Sequence, residues 1–563
     1  MIKLLNKIRK YYRCEAYLFI IICAAFYLRT FNINWDNGYY FHPDERAYIM
    51  VSLPIHWTST LSGLFSVQSP LNPHFFAYGS FPIYLLKVLS HVFGFINPIL
   101  AEYGGVHIIG RLISAVFDTS TVFIIYLICS KIFTKKIGVL SACLYAFSVL
   151  PIQLSHFFAV DTILTFFMTS TIYSLVLLID RFNIKNASLT GLFFGLALAT
   201  KISAVVLTPI VFIALTINFF RKKRKLKKWV LNNIVVLIIL VICTGIVFFI
   251  AQPYSLIDYK AFSQQTLLQT QMSNNAFIFP YTLQYVGKIP YIYELKNIFM
   301  WGQGPIISIV CIMGIIFMTI RLKRRIILIL PALFLALYFA LFGKFAVGFI
   351  RYMLPIYPIL SIFGGWFLSE IVLELIPKTY LKRYFFVKFL MLGFILLILV
   401  YPISFISIYT KPNTRIQASD WINKNIPQGS KIAVEHWDDS LPVYGMQKYE
   451  QLTLPLYDPD TKEKWQSIHS ILQQTDYIII ASGRLYIPLQ KLTDCKHLPV
   501  NRCYPLTAKY YKNLFSGKLG FKKIQEFKSE PTIPFINIGI NDLSADENFT
   551  VFDHPTIMIF KKK

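Results

Sequence analysis

The segment GYYFHPDERAYIM (38–50) places two acids, Asp44 and Glu45, side by side just beyond an apolar stretch. Acids directly after a proline suit the first turn of a helix, with Pro43 at N1 and the carboxylates balancing the dipole. The same carboxylates at a membrane surface can also act as a general base, taking a proton from an acceptor hydroxyl or amine. A third acid, Asp161, stands in SHFFAVDTILTFF (155–167) among apolar neighbours. An ionisable group at membrane depth is a functional candidate, and a plain interface anchor is the alternative. His156, five residues earlier, reads first as a hydrogen-bonded structural histidine. His42, Asp44 and Glu45 with His156 or Asp161 could assemble a divalent-metal site, although no tight ligand spacing supports one.

Three basic residues stand out by position. Arg111 opens GRLISAVF (110–117), Lys201 lies in GLALATKISAVVL (195–207), and Arg351 lies in KFAVGFIRYMLPIYP (344–358). All fall at the outer ends of apolar spans, where the positive-inside rule does not place them. Snorkelling explains each one singly. Three together, with acids on the same face, point to binding of a phosphate group, whose oxygens arginine engages in a bidentate way.

The elements that must hold these residues are mostly membrane helices. The chain has 563 residues, 55 Lys+Arg against 28 Asp+Glu, and 15% charged residues. Soluble domains carry about 25%. That excludes a disordered chain and an ordinary soluble enzyme. Only twelve of the 28 acids precede Lys411, so the tail alone has soluble composition. About eleven apolar stretches suit membrane helices: 15–33, 107–132, 137–156, 161–180, 187–200, 202–220, 229–250, 305–320, 326–343, 352–375 and 386–409. Basic runs at the N-terminus (Lys3, Lys7, Arg9, Lys10, Arg13), Lys131–Lys136, Arg181–Lys185, 221–228, 321–325 and 378–383 mark the cytoplasmic side. They alternate with the spans, so they need no nucleic-acid partner. The odd span count then places the tail outside. The first stretch has no small-residue cleavage site and reads as an anchor.

Two further outer segments follow, 34–106 and 252–304. Within the first, FPIYLLKVLSHVFGF (81–95) carries Lys87 and His91 and reads as an amphipathic helix in the interface. The tail, 411–563, reads as a small α/β domain. Helices are expected at 419–426 and 463–474, a helix followed by a strand over YKNLFSGKLGFKKIQEF, and strands at 431–437, 476–482 and 556–562. Cys495 and Cys503 pair there or stay free, as spacing alone does not decide.

FHPDE, GSFPIYLL, GRLIS, HFFAVDT, GLALATK and RYMLPIYP follow one another in an order that resembles membrane glycosyltransferases using polyprenyl-phosphate sugars. These are the protein O-mannosyltransferase-like family and its bacterial relatives, including the aminoarabinose lipid A transferases. The resemblance covers about residues 15–410. It implies the GT-C fold and a catalytic acidic motif in the first outer loop, with Asp44 as base and Glu45 and Asp161 orienting the acceptor or shaping the base. Lys201, Arg351 and Arg111 then meet the donor phosphate, with His42 and His156 in support. The segment NPHFFAYGSFP (72–82) replaces the Glu-Lys-Pro-Pro or His-Pro-Pro-Leu-Gly-Lys segment of relatives.

The expected protein is thus a polytopic α-helical membrane protein of the GT-C fold (1–410) with a C-terminal extracytoplasmic α/β domain (411–563) in the plasma membrane. It would move a hexosyl or pentosyl group, with inversion, from a polyprenyl-phosphate donor to a lipid, glycan or protein acceptor. No glycine-rich fingerprint argues for a nucleotide sugar. The other reading is a lipid-linked glycan transporter with an outer receptor domain, and a membrane scaffold is a third.

Overall fold

A computed structural model describes residues 2–222, 226–321, 326–375 and 381–563. The basic runs at 221–228, 321–325 and 378–383 lie partly outside these residues. The first part is a helical bundle, and its apolar helices make it a membrane protein. Among the described residues, five helical stretches are long and apolar enough to cross a bilayer: Val106–Ile132, Val160–Asp180, Val230–Ala251, Ile350–Ile371 and Leu392–Asn425. A sixth is counted if the bent pair Lys135–Ala146 and Val149–Ser155 forms one span. Several expected spans are therefore shorter or broken. The stretch 137–156 bends by 61° between its two helices. Pro151 is the cause, because an unbroken helix would set its ring against the carbonyl of Phe147. The stretches 202–220 and 352–375 each begin as 3-10 turns, Ile202–Leu207 and Ile350–Ile356, before becoming α-helical.

Close approach holds the bundle together. A Cβ on Gly314 would fall 2.4 Å from the Phe363 carbonyl carbon, so helix Pro305–Arg321 can lie directly on helix Tyr357–Leu375. An ion pair is sealed among the helices. Arg29, near the end of helix Ile2–Thr30, donates to Asp118 and to the carbonyls of Ala25 and Ala146. The hydroxyl of Tyr145 donates to the same carboxylate. The stretch 81–95 is helical over Phe81–Gly94, about 21 Å long and too short to cross the ~30 Å apolar core. It buries Ile83, Leu86 and Ser90 while Val88 and Val92 stay exposed, and Lys87 donates to the Leu53 carbonyl at 2.7 Å.

The tail folds around a five-stranded sheet. Its strands are β1 (Lys431–Glu435), β2 (Glu450–Leu454), β3 (Tyr477–Ile480), β4 (Phe521–Phe527) and β7 (Ile557–Lys562), in the order β2-β1-β3-β7-β4. β1 runs parallel to β2 and β3, and β7 is antiparallel to β3 and β4. A separate hairpin joins β5 (Thr532–Ile533) to β6 (Ile538–Gly539). Alternation sorts the core. Ile432, Val434, Ile479 and Ile559 pack under helix Thr414–Asn425, while Ala433, Ile478, Ile480 and Phe560 face helices Lys462–Gln474 and Pro505–Phe515. The helix expected at 419–426 begins earlier, at Thr414, with Asn413 as its cap. β2 was not expected, since EQLTL is short and polar. Cys495 and Cys503 are disulfide-bonded, with Cα atoms 5.4 Å apart.

The tail docks onto the bundle through buried polar groups. Asp553 accepts from Gln153 at 2.9 Å and from the Tyr409 hydroxyl at 2.8 Å. His554 sits between Asp553 and Asp542. Burial pushes its imidazole down, but the two carboxylates prevail and raise it to about 10.

Glu435, at the end of β1, gives the tail a pH dependence. Burial pushes its carboxyl up to about 8, and the Tyr511 hydroxyl that donates to it offsets only part of this. The unfolded chain releases that proton near 4.5 while the fold retains it, so stability falls as pH rises from about 4.5 through about 8. Glu435→Gln copies the neutral acid. It is expected to raise the thermal midpoint of the detergent-solubilised protein by several degrees above pH 8 and by little near pH 4.5. An equal shift at both pH values, by scanning calorimetry, would contradict this account.

Candidate active site

The acidic motif is shaped by its cap. His42 is the extended N-cap residue of helix Pro43–Ser52, and its Nδ1 accepts from the Glu45 amide at 3.4 Å. Burial holds His42 down at about 3, so the ring is neutral and can accept. Pro43 occupies the first turn, as its missing N–H allows. Successive helix residues point about 100° apart, so Asp44 and Glu45 face different surroundings.

Glu45 turns inward. Arg111 donates to it from Nε at 2.8 Å and from Nη2 at 2.7 Å. The same guanidinium holds Asp36 at 3.0 and 2.7 Å and the Ile33 carbonyl at 2.8 Å. Arg111, Asp36 and Glu45 side chains are all 0% exposed. A guanidinium has five N–H donors, and all five are used here. Arg111 therefore keeps no donor for a phosphate, and Glu45 lies with it in the scaffold, also accepting from the Phe158 amide at 3.0 Å. The expectation sets Arg111 at the donor phosphate and has Glu45 orient the acceptor or shape the base; in the structure the two are engaged with each other, and Arg111 with Asp36 as well. His156 is likewise scaffold, its two ring nitrogens each 2.9 Å from a carbonyl, of Ile152 and Phe31.

Asp44 turns the other way, into a cluster that collects the ends of several elements. Arg351, in the 3-10 turn Ile350–Ile356, donates to its Oδ2, and the Tyr78 hydroxyl donates to the same oxygen at 3.0 Å. Asp161, in the first turn of helix Val160–Asp180, accepts from Lys201 at 3.0 Å and lies 4.0 Å from Arg351. Lys201 caps helix Ile184–Thr200 and sits over the rings of Tyr352 (4.6 Å) and Tyr78 (5.3 Å). Side-chain exposure is graded. Asp44 is 21% and Lys201 15% exposed, against 8% for Arg351 and 2% for Asp161. The first two form the accessible surface and the second two stand behind it. Burial pushes Asp44 up, but Arg351 and the hydrogen bonds from Arg351 and Tyr78 prevail and hold it at about 2. It is an anion at any working pH.

Tyr78 was not legible as a site residue. It lies in the segment 72–82, and the fold presses that segment against the Lys201 helix. The Gly79 amide donates to the Thr200 carbonyl at 2.9 Å, and a Cβ on Gly79 would fall 1.8 Å from the Ala199 oxygen. Gln252 and Gln265 hold the neighbouring amides of Ser80 and Phe76.

The charges decide what the cluster can bind. Asp44 and Asp161 are each faced by a cation, so two carboxylates meet two cations. Among the described residues no three His, Cys, Asp or Glu side chains converge. His42 is spent as a cap, Glu45 on Arg111 and His156 on two carbonyls. This donor set does not fit a divalent metal. It fits an anion that competes with Asp44 and Asp161 for Arg351 and Lys201.

The tail closes over the motif. Arg46 donates to the Tyr40 carbonyl and to Asp439 at 3.0 Å. Arg415, buried, meets Asp438 at 3.3 Å and lies over the Phe41 ring at 5.1 Å. The His42 ring packs against Phe157 and Phe552. Trp437, half exposed with φ +65°, faces Tyr281.

Comparison with known proteins agrees with this architecture. Residues 92–248 match the family model for dolichyl-phosphate-mannose-protein mannosyltransferase. No curated protein matches the chain. The oligosaccharyltransferase of Archaeoglobus fulgidus, in its apo form, superposes with a TM-score of 0.55 at 11% identity, over 98% of this chain and 89% of that one. The archaeal oligosaccharyltransferase AglB from Archaeoglobus fulgidus, solved with an inhibitory peptide and a dolichol-phosphate, gives 0.52 at 12% identity over the same shares, 98% and 89%. ArnT from Cupriavidus metallidurans, bound to undecaprenyl phosphate, gives 0.45 at 13% identity, over 87% of this chain and 97% of that one. The chain shares the GT-C-like membrane fold of the Archaeoglobus fulgidus oligosaccharyltransferase.

Proposed function

We propose that this chain is a membrane glycosyltransferase that moves a sugar from a polyprenyl-phosphate donor to an acceptor on the extracytoplasmic side. The observation that carries the reading is the meeting of Asp44, Arg351, Lys201 and Asp161 at one end of the bundle. The matched family is named for a dolichyl-phosphate-mannose donor, which supports a donor of this class. The disulfide supports an oxidising compartment for the tail, and with the basic runs it supports a cytoplasmic N-terminus and an outer domain from residue 411. The acceptor is a lipid, glycan or protein.

Asp44 acts as general base. Its Oδ2 is taken by Arg351 and Tyr78, and Oδ1, which accepts no hydrogen bond in the described structure, faces the acceptor. The acceptor oxygen or nitrogen bonds to the anomeric carbon as its proton passes to Asp44. The bond from that carbon to the phosphate oxygen breaks, and its electron pair leaves with the polyprenyl phosphate. Arg351 and Lys201 neutralise that phosphate, while Asp161 positions Lys201. A single displacement inverts the anomeric centre.

The test is to delete the gene in its host and analyse lipid extracts by intact mass spectrometry. A polyprenyl-phosphate sugar is expected to accumulate and to disappear on complementation. Unchanged lipid pools would overturn the reading and favour a scaffold. Intact lipid-linked glycan retained on one side of the membrane would favour a transporter.

A further inference from the structure

We propose that the hairpin at 531–540 is a membrane-surface contact, which lays Phe535, Ile536 and Ile538 into the bilayer interface beside the last spanning helix. The three side chains are the most exposed apolar group of this part of the tail, at 102%, 59% and 56%. They lie in PTIPFINIGI, and no charged residue stands between Glu530 and Asp542. Such an apolar tip is costly in water and marks a contact surface.

Its place in the fold identifies the partner. The Thr532 amide donates to Ser407 Oγ at 2.9 Å, and Ser407 is the residue directly after helix Leu381–Ile406. The hairpin base is closed by the Ile540 amide on the Pro531 carbonyl at 2.7 Å. Ile540 packs against the bundle core, so the hairpin is fixed to the bundle at the level where the last span ends. That helix exposes Leu396, Leu397, Val400 and Ile403 on its lipid side. Its stripe leads up to the turn that the hairpin joins. The tip is also held in an unusual form. Phe535 has φ +68° and Asn537 +52°, a region where residues other than glycine are uncommon. Conformations of this kind persist where the surrounding structure enforces them and point to a use for the site. An uncharged aromatic and aliphatic tip at the end of a span suits the headgroup boundary of a phospholipid bilayer.

The experiment places p-benzoyl-phenylalanine at position 535 of the full chain, in vesicles of phosphatidylethanolamine and phosphatidylglycerol, and reads photo-adducts by mass. Position 500 is the control, since Val500 is 90% exposed in the same tail. Lipid adducts are expected at 535 and none above background at 500. Equal yields at the two positions, or no lipid adduct at 535, would overturn the proposal. In native membranes, an adduct at 535 to a protein instead of lipid would also overturn it.

Discussion

The Asp44→Asn protein is expected to reach the membrane at the wild-type level and to transfer sugar about a hundredfold to ten-thousandfold more slowly, the range that general-base catalysis supplies. The amide keeps the shape of the carboxyl and still accepts the hydrogen bonds that Arg351 and Tyr78 make to Oδ2. Proton acceptance is lost together with the charge that faces Arg351, which keeps Asp161 at 4.0 Å as a counter-ion. The carboxyl is held at about 2 in the resting site because Arg351 faces it, which makes it a weak base there. On the proposed function, a phosphate bound at Arg351 and Lys201 would take up that positive charge and let the carboxyl rise, so the base would gain strength with the donor in place. The measurement is donor consumption by purified wild type and variant in lipid extract from the deletion strain. Wild-type turnover by Asp44→Asn would remove Asp44 from the mechanism.

The second large effect concerns folding. Arg111→Met would leave Asp36 and Glu45 buried with no cation between them. Removing one partner of a buried pair costs about 3–5 kcal/mol, and here two carboxylates are stranded. That is a large part of the stability of most folded domains. The variant is expected to be nearly absent from membranes, as read by fluorescence size-exclusion of a tagged chain. Lys201→Ala, by contrast, removes a partly exposed cation and leaves Asp161 with Arg351 at 4.0 Å, so its abundance is expected to stay well above that of Arg111→Met. Normal abundance of Arg111→Met would return Arg111 to the list of ligand-binding candidates.

The contrast between these two arginines shows what sequence could and could not convey. Arg111 and Arg351 both sit at span ends among apolar residues, and hydropathy treats them alike. They part only in three dimensions, because Asp36 lies three residues past the first apolar stretch and folds back on Arg111. Asp44 was legible because a Pro-Asp-Glu run at a span end needs both a helix start and a reason for two charges there. Lys201 and Asp161 were legible as charges in apolar company. Tyr78 was not, since a tyrosine in a loop of aromatics carries no such contradiction, and its contact with Asp44 depends on the Gly79 approach to Thr200. In the tail, β3 and β7 announced themselves by their apolar runs. β2 was hidden because it is an edge strand, whose outward positions are polar.

Arg46 and Arg415 carry one more consequence. Both reach across the boundary near residue 410, Arg46 to Asp439 and Arg415 over Phe41, and both tie the tail to the segment that bears Asp44. The tail is therefore not an interchangeable attachment. A hybrid joining this bundle to the tail of a distant homologue would have to import the partners of Arg46 and cover Phe41 and His42 again, or its acidic motif would be left without a roof. Exchange of whole tails is thereby discouraged, and change is channelled into substitutions that preserve these few contacts.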